Sequence, residues 1–168
     1  GYRVSYTRGD DSTVSLAARA EQANTQGAAV FVSIHANAFP QNPDVNGLET
    51  YHLPGGQGAK TLAEAIHAAV LASTGANDRE VRTANFYVLK YTEMPAVLVE
   101  AGFIDNPQDN ERFDESFQEI AQAIADGVLR TLEEEEKIRP EYYQIQVGAY
   151  VSCQVAEEIT MVLMEQGY

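Results

Sequence analysis

The sequence lacks the features on which disulfide-stapled, membrane-spanning and nucleic-acid-binding proteins depend. It has one cysteine, Cys153, and no tryptophan, which excludes an internal disulfide and a cysteine-rich metal site. No apolar run approaches the ~20 residues of a membrane span. Cations are also few: 11 Lys and Arg stand against 25 Asp and Glu, a net charge of −14. This charge disfavours nucleic acid and anionic membranes as partners.

What is present is a globular composition. Hydrophobic residues make up 45% of the 168 residues, enough for one core and a small appended unit. No signal peptide opens the chain, because residues 2–7 already alternate as a strand does. The sequence is therefore expected to be a piece of a longer protein.

Two short apolar runs organise the chain, and each carries one residue able to do chemistry. Residues 28–37 reach His35 near their end, and residues 95–103 contain Glu100. Such runs, separated by helical patterns, are typical of strands in a sheet that is covered on both faces. Function collects at the carboxyl ends of parallel strands. We therefore expect His35 and Glu100 to share one edge of the sheet.

The remaining pattern completes an α/β fold with a mostly parallel central sheet flanked by helices. Apolar periodicity predicts helices over residues 14–24, 59–73 and 115–135, with a helical segment beginning at 109. Strands are predicted over residues 2–7, 47–53 and 85–89, and a charged loop over 77–83. An acidic linker at 133–141 precedes an alternating strand at 142–150 and a helix at 155–166. The last two form a partial α+β appendage, residues 142–168, which is too small to fold alone.

Glu100 follows three aliphatic residues, so its carboxylate must be ion-paired, metal-bound or raised in pKa. An ion pair with Arg79 or Arg82 is the ordinary explanation. His35 is either a hydrogen-bonded core residue or a metal ligand and base. A zinc hydrolase would use both residues, because zinc activates water and polarises a carbonyl while a glutamate transfers the proton.

Catalytic zinc usually has three protein ligands. Besides His35 the sequence has two histidines, and neither has the spacing of a known zinc motif. His52 ends a predicted strand and is the next candidate zinc ligand. His67 lies on an amphipathic helix, where ordinary packing explains it. Asn37, two residues beyond His35, either orients substrate or serves a turn.

Three segments, residues 33–38, 47–51 and 94–106, resemble successive motifs of the zinc-dependent N-acetylmuramoyl-L-alanine amidases of bacterial cell walls. Residues 7–24 are similar too, and the resemblance covers residues 1–132. It implies Zn²⁺ as cofactor, His35 as a zinc ligand, Glu100 as catalytic acid and base, and peptidoglycan as substrate outside the cell or in its envelope. In that family the other two ligands lie on a preceding strand and helix, which this sequence lacks.

Residues 143–150 and the helix after them are similar to the start of a sporulation-related repeat (SPOR) domain, which binds peptidoglycan. The missing first strand leads us to expect self-association. Two functions stay open: hydrolysis of the bond between N-acetylmuramic acid and L-alanine, and a non-catalytic peptidoglycan-binding or regulatory module. A metal-free α/β hydrolase is disfavoured, since no Gly-x-Ser-x-Gly segment occurs.

Overall fold

The computed structural model describes residues 2–136 and 144–149, and it confirms the α/β fold with a mostly parallel sheet. The described strands lie in the order β1-β6-β2-β5-β3-β4. All neighbours run parallel except β3 and β5, which are antiparallel. The strands are β1 Arg3–Tyr6, β2 Val30–Asn37, β3 Leu48–His52, β4 Asp78–Thr83, β5 Ala96–Phe103 and β6 Gln144–Ala149.

Helices cover both faces of the sheet. The helices α2 (Gln57–Thr74) and α5 (Phe117–Glu136) lie on one face, called here the α2/α5 face. The helices α1 (Leu16–Thr25) and α3 (Tyr87–Lys90) lie on the other, the α1/α3 face. A further helix, α4 (Pro107–Glu115), follows β5. None of the described helices is both long enough and apolar enough to cross a membrane.

Local sequence signals fix the ends of these helices. The Ser15 side chain accepts a hydrogen bond from the backbone of Ala18 and caps α1, and Asn106 caps α4 in the same way before Pro107. Gly75 ends α2 in the left-handed conformation, which glycine adopts without steric cost. The predicted helices at 14–24, 59–73 and 115–135 are thereby confirmed within a few residues.

Two predicted elements were wrong. Residues 77–83 were expected to be a charged loop but form the edge strand β4, in which Glu80 has a φ of 75°. Residues 85–89 were expected to be a strand, but a short helix begins at Tyr87. Its Val88 and Leu89 are buried in a small apolar cluster with Phe31 and Leu98 of the sheet. Tertiary packing there overrides the strand preference of β-branched and aromatic residues.

The strand predicted near the C-terminus is present, and it joins the main sheet. β6 pairs in parallel with both β1 and β2 and lies between them. The predicted helix at 155–166 lies outside the described residues. The division into residues 1–132, 133–141 and 142–168, the SPOR-like unit and self-association all stay predictions.

Candidate active site

The alternation of side chains along three neighbouring strands brings the predicted site together. His35 of β2 is in register with Glu100 of β5, and Glu100 is in register with Glu49 of β3. Residues two apart on a strand share a face. His35, Glu100 and Glu49 therefore continue the rows of Phe31, Leu98 and Tyr51 on the α1/α3 face. The expectation that His35 and Glu100 share one edge of the sheet agrees with this register.

Glu100 is mostly buried, and its oxygen Oε2 has no hydrogen-bond partner among the described residues. Burial and, to a smaller extent, the nearby charge of Glu49 raise the pKa of Glu100 to about 7. The ordinary explanation from sequence, an ion pair with Arg79 or Arg82, does not hold, because both arginines pair with Glu49 instead. A carboxyl group poised near neutral pH can both accept and donate a proton.

His35 is held beside Glu100 as a neutral imidazole. Its Nε2 lies 2.8 Å from the Ser33 hydroxyl on the same strand. Burial and, to a smaller extent, the positive charge of Arg19 lower the pKa of His35 to about 4. A neutral imidazole is the form of histidine that binds metal ions. His35 is therefore chemically suited to the ligand role that the sequence predicts for it.

Glu49, the carboxylate with the most polar contacts in the site, was not predicted from the sequence. Its Oε1 accepts a hydrogen bond from Arg79 Nε at 3.1 Å and forms an ion pair with Arg82 Nη1, also at 3.1 Å. Its Oε2 accepts from Asn37 Nδ2 at 3.0 Å and from the Tyr51 hydroxyl at 2.9 Å. A signal was present, because a lone carboxylate in a short apolar strand needs partners for the same reason as Glu100.

Asn37 lies where β2 leaves its regular register with β5, between His35 and Asn37. The side-chain nitrogen donates to Glu49 and the side-chain oxygen accepts from the backbone of Ala38. The turn role expected from the sequence agrees with the bond to Ala38, and the amide also contacts a second residue of the site, Glu49. Its predicted role in substrate binding stays a prediction.

The other two histidines lie away from this cluster. His52 is in register with Val97 at the opposite end of β3, and its Nδ1 bonds to the carbonyl of Leu53. His67 is buried between α2 and the sheet, with Nδ1 2.9 Å from the Thr50 hydroxyl and Nε2 3.0 Å from Asp78. The packing explanation of His67 from the sequence agrees with these contacts.

A zinc ion in a protein is usually held by three or four protein ligands. Among the described residues, no group of three or more His, Cys, Asp or Glu side chains is placed to hold a metal ion. His35 supplies one suitable nitrogen, and Glu100 has a buried oxygen without a hydrogen bond. The described residues thus provide part of a zinc site, and further ligands would have to come from other residues.

A single carboxylate ties together the loops beside the site. Asp109 of α4 is buried, and its Oδ2 accepts hydrogen bonds of 2.8 Å from the backbone of Gly47 and of Phe103. Its other oxygen is paired with Arg112. Gly47 has a φ of 111°, and a Cβ there would lie 2.2 Å from the Asn77 carbonyl oxygen, so only glycine fits. The start of β3 and the end of β5 are thereby fixed to one helix.

Comparison with known proteins matches this arrangement to an enzyme family. The N-acetylmuramoyl-L-alanine amidase family model matches residues 1–130. The chain is 36% identical over 168 residues to the N-acetylmuramoyl-L-alanine amidase CwlM of Bacillus licheniformis, covering 98% of this chain and 64% of that protein. It is 42% identical over 127 residues to LytC of Bacillus subtilis strain 168, covering 73% of this chain and 25% of that protein. The chain thus spans less than two thirds of the length of these relatives.

Solved structures agree with the sequence matches. The catalytic domain of CwlV, from Bacillus (Paenibacillus) polymyxa, superimposes with a TM-score of 0.70 at 41% identity, covering 76% of this chain and 70% of that one. AmiC2 of Nostoc punctiforme superimposes with a TM-score of 0.71 at 40% identity, covering 76% and 71%. Both are N-acetylmuramoyl-L-alanine amidases. With its sheet, its motifs and most of its length matched in this way, the chain belongs to the N-acetylmuramoyl-L-alanine amidase family.

Proposed function

We propose that this protein hydrolyses the amide bond between N-acetylmuramic acid and L-alanine in peptidoglycan, with a zinc ion as cofactor. The observation that supports this most is the register of His35 with Glu100 on adjacent parallel strands. Relatives named as cell-wall amidases share the matched region. Peptidoglycan lies outside the cytoplasmic membrane, so the protein would act in the cell envelope or outside the cell.

His35 and Glu100 have different roles in the proposed reaction. A bound zinc ion supplies a Lewis acid that lowers the pKa of water and polarises the scissile carbonyl. His35 would hold that ion together with ligands that are not among the described residues. Glu100 removes a proton from the attacking water and donates a proton to the leaving nitrogen of alanine, as its pKa of about 7 allows.

Substitution of Glu100 tests this proposal in the zinc-loaded full-length protein. Glu100→Gln keeps the shape of the side chain but cannot exchange a proton, so we expect kcat to fall by about 10²–10⁴-fold. Zinc content, measured by elemental analysis, should stay unchanged. The matched control is Glu64→Gln, at an exposed glutamate on α2 whose ion pair with Lys60 lies at the surface.

The same measurements distinguish the proposed hydrolase from the alternative, a non-catalytic peptidoglycan-binding or regulatory module. Retention of near-normal turnover by Glu100→Gln would overturn the role proposed for Glu100. Binding of peptidoglycan by the wild type without release of muropeptide products, with zinc present, would favour the binding module.

A further inference from the structure

Two arginines give the site a local excess of positive charge in a strongly acidic protein. Arg79 and Arg82 both pair with the single carboxylate of Glu49, so the three side chains together carry one net positive charge. The whole chain has a net charge of −14. An anionic ligand is repelled by such a protein unless local cations attract it. Both arginines lie close to Glu100, because Glu49, which they contact, is directly opposite Glu100 on the neighbouring strand.

The two arginines differ in how much of the guanidinium is accessible. The Arg79 side chain is 28% exposed and also lies over the Phe103 ring, 5.1 Å from its centroid. The Arg82 side chain is 43% exposed and contacts Glu49 through Nη1. A guanidinium group has five N–H donors arranged in a planar fork that suits carboxylates. Arg82 therefore keeps donors at the surface while Glu49 fixes its position.

The distance from Glu100 suggests where on a substrate Arg82 would act. Directly opposed residues of an antiparallel pair have Cβ atoms about 5 Å apart, and Arg82 lies one hydrogen-bond length beyond the Glu49 carboxylate. Arg82 is thus within about 10 Å of Glu100, a span of two to three residues of extended peptide. A peptide whose first amide is cleaved at Glu100 would place its next residues at Arg82.

We propose that Arg82, oriented by Glu49, binds a carboxylate of the peptide that follows the scissile amide. This inference rests on the proposed function, because it deepens the substrate preference of the same site. It makes Arg82 a substrate-binding residue and Glu49 a positioning residue. Arg79, the less exposed of the two, balances the charge of Glu49 so that Arg82 is left to attract the ligand.

Two ligands that differ by one group test the proposal. N-acetylmuramoyl-L-alanyl-glutamate and N-acetylmuramoyl-L-alanyl-glutamine are compared by calorimetric titration in the full-length protein, with Glu100→Gln present so that neither is consumed. We expect the glutamate ligand to bind about 5–10-fold more tightly. Adding Arg82→Ala should abolish that preference by weakening the glutamate ligand alone, and Arg82→Lys should retain part of it.

Arg130→Ala, at an exposed arginine of α5 on the opposite face, is the control and should change neither affinity. Equal affinities of the two ligands before Arg82 is altered would overturn the proposal. An equal loss of both ligands in Arg82→Ala, or a preference that survives it, would overturn it too. These outcomes are separate from failure of the proposed function, which is read from kcat of the protein with Glu100 intact.

Discussion

The two faces of the sheet differ in how thickly they are covered. On the α2/α5 face, twenty-one buried hydrophobic residues of the described chain form one cluster. On the α1/α3 face, the corresponding cluster has six, with the four-residue helix α3 contributing two of them. The central strands β2 and β5 present aliphatic rows to the first face, and β3 adds Leu48. To the second they present rows that end in His35, Glu100 and Glu49.

This difference shows how one sheet serves both stability and chemistry. Burial of apolar area is the main source of stability, and the α2/α5 face supplies most of it. The α1/α3 face can therefore carry groups that lose hydration on burial without gaining equivalent contacts. Glu100, with its raised pKa, is such a group. Such unfavourably buried groups persist only because packing elsewhere in the fold supplies enough stability.

A large loss of stability is expected from adding a methyl group at the contact between α2 and α5. A Cβ on Gly127 of α5 would lie 2.5 Å from the Ile66 Cα and 2.7 Å from its nitrogen. Gly127→Ala must therefore push the two helices apart, and we expect it to lower the free energy of unfolding by about 3 kcal/mol. Glycine to alanine within a helix usually stabilises, so the sign itself is informative. Urea unfolding followed by circular dichroism measures it.

The control for Gly127 is Gly58→Ala in α2, where the nearest atom to a Cβ is the Pro95 Cγ at 3.2 Å. That contact is a ring carbon at the surface of the fold rather than a helix backbone, so a change of under about 1 kcal/mol is expected. Similar losses in both variants would show that the α2–α5 contact is not specially tight.

A matched pair of leucines compares the two faces directly. Leu62 is fully buried on the α2/α5 face and Leu89 is 2% exposed on the α1/α3 face. Leu62→Ala is expected to cost about 4 kcal/mol and Leu89→Ala about 2 kcal/mol, because a short helix can collapse onto the smaller cavity. Denaturant unfolding with unchanged m-values checks this. Equal costs would mean that α3 is as rigidly packed as the long helices.

A further effect concerns the pH dependence of stability in the metal-free chain. The folded state raises the pKa of Glu100 above its ordinary value of 4.5, so the folded protein binds more protons between pH 4.5 and 7. Stability from this group is full below pH 4.5 and is lost as the pH rises through 7. The free energy of unfolding of Glu100→Gln should be close to that of the wild type at pH 4.5 and exceed it by about 3 kcal/mol at pH 8.

Thermal unfolding at several pH values measures this difference, with Glu64→Gln as the exposed control. The opposing contribution of His35, whose pKa is lowered to about 4, is the same in all three proteins and cancels. A parallel pH profile for Glu100→Gln and the wild type would show that Glu100 is solvated and charged throughout.

The sequence predicted the elements whose pattern follows from burial on the α2/α5 face. The runs ending in His35 and containing Glu100, and the periodic helices α2 and α5, are confirmed because apolar residues there repeat with the period of the element. β4 was missed because it is an edge strand with Val81 as its one aliphatic residue. α3 was missed because its fold depends on contacts with distant residues, which local preference does not contain.

The sequence predicted which kinds of residue form the site, but not which carboxylate the two arginines pair with. Sequence placed His35 and Glu100 together, and it identified Arg79 and Arg82 as partners of a buried carboxylate. It assigned them to Glu100 because it treated Glu49 as an ordinary strand residue. The antiparallel entry of β3, which puts Glu49 opposite Glu100, is a property of the chain path and has no local signature.

The Asp109 carboxylate has a consequence for the timing of motion at this edge. It holds the amides of Gly47 and Phe103 at once, and both sit at strand ends beside the site. Opening of the nine-residue helix α4 would release the two amides together, so their protons exchange with solvent in one cooperative event. The geometry of the strand ends beside Glu100 therefore persists for as long as α4 stays folded, and its lifetime is set by the stability of that helix.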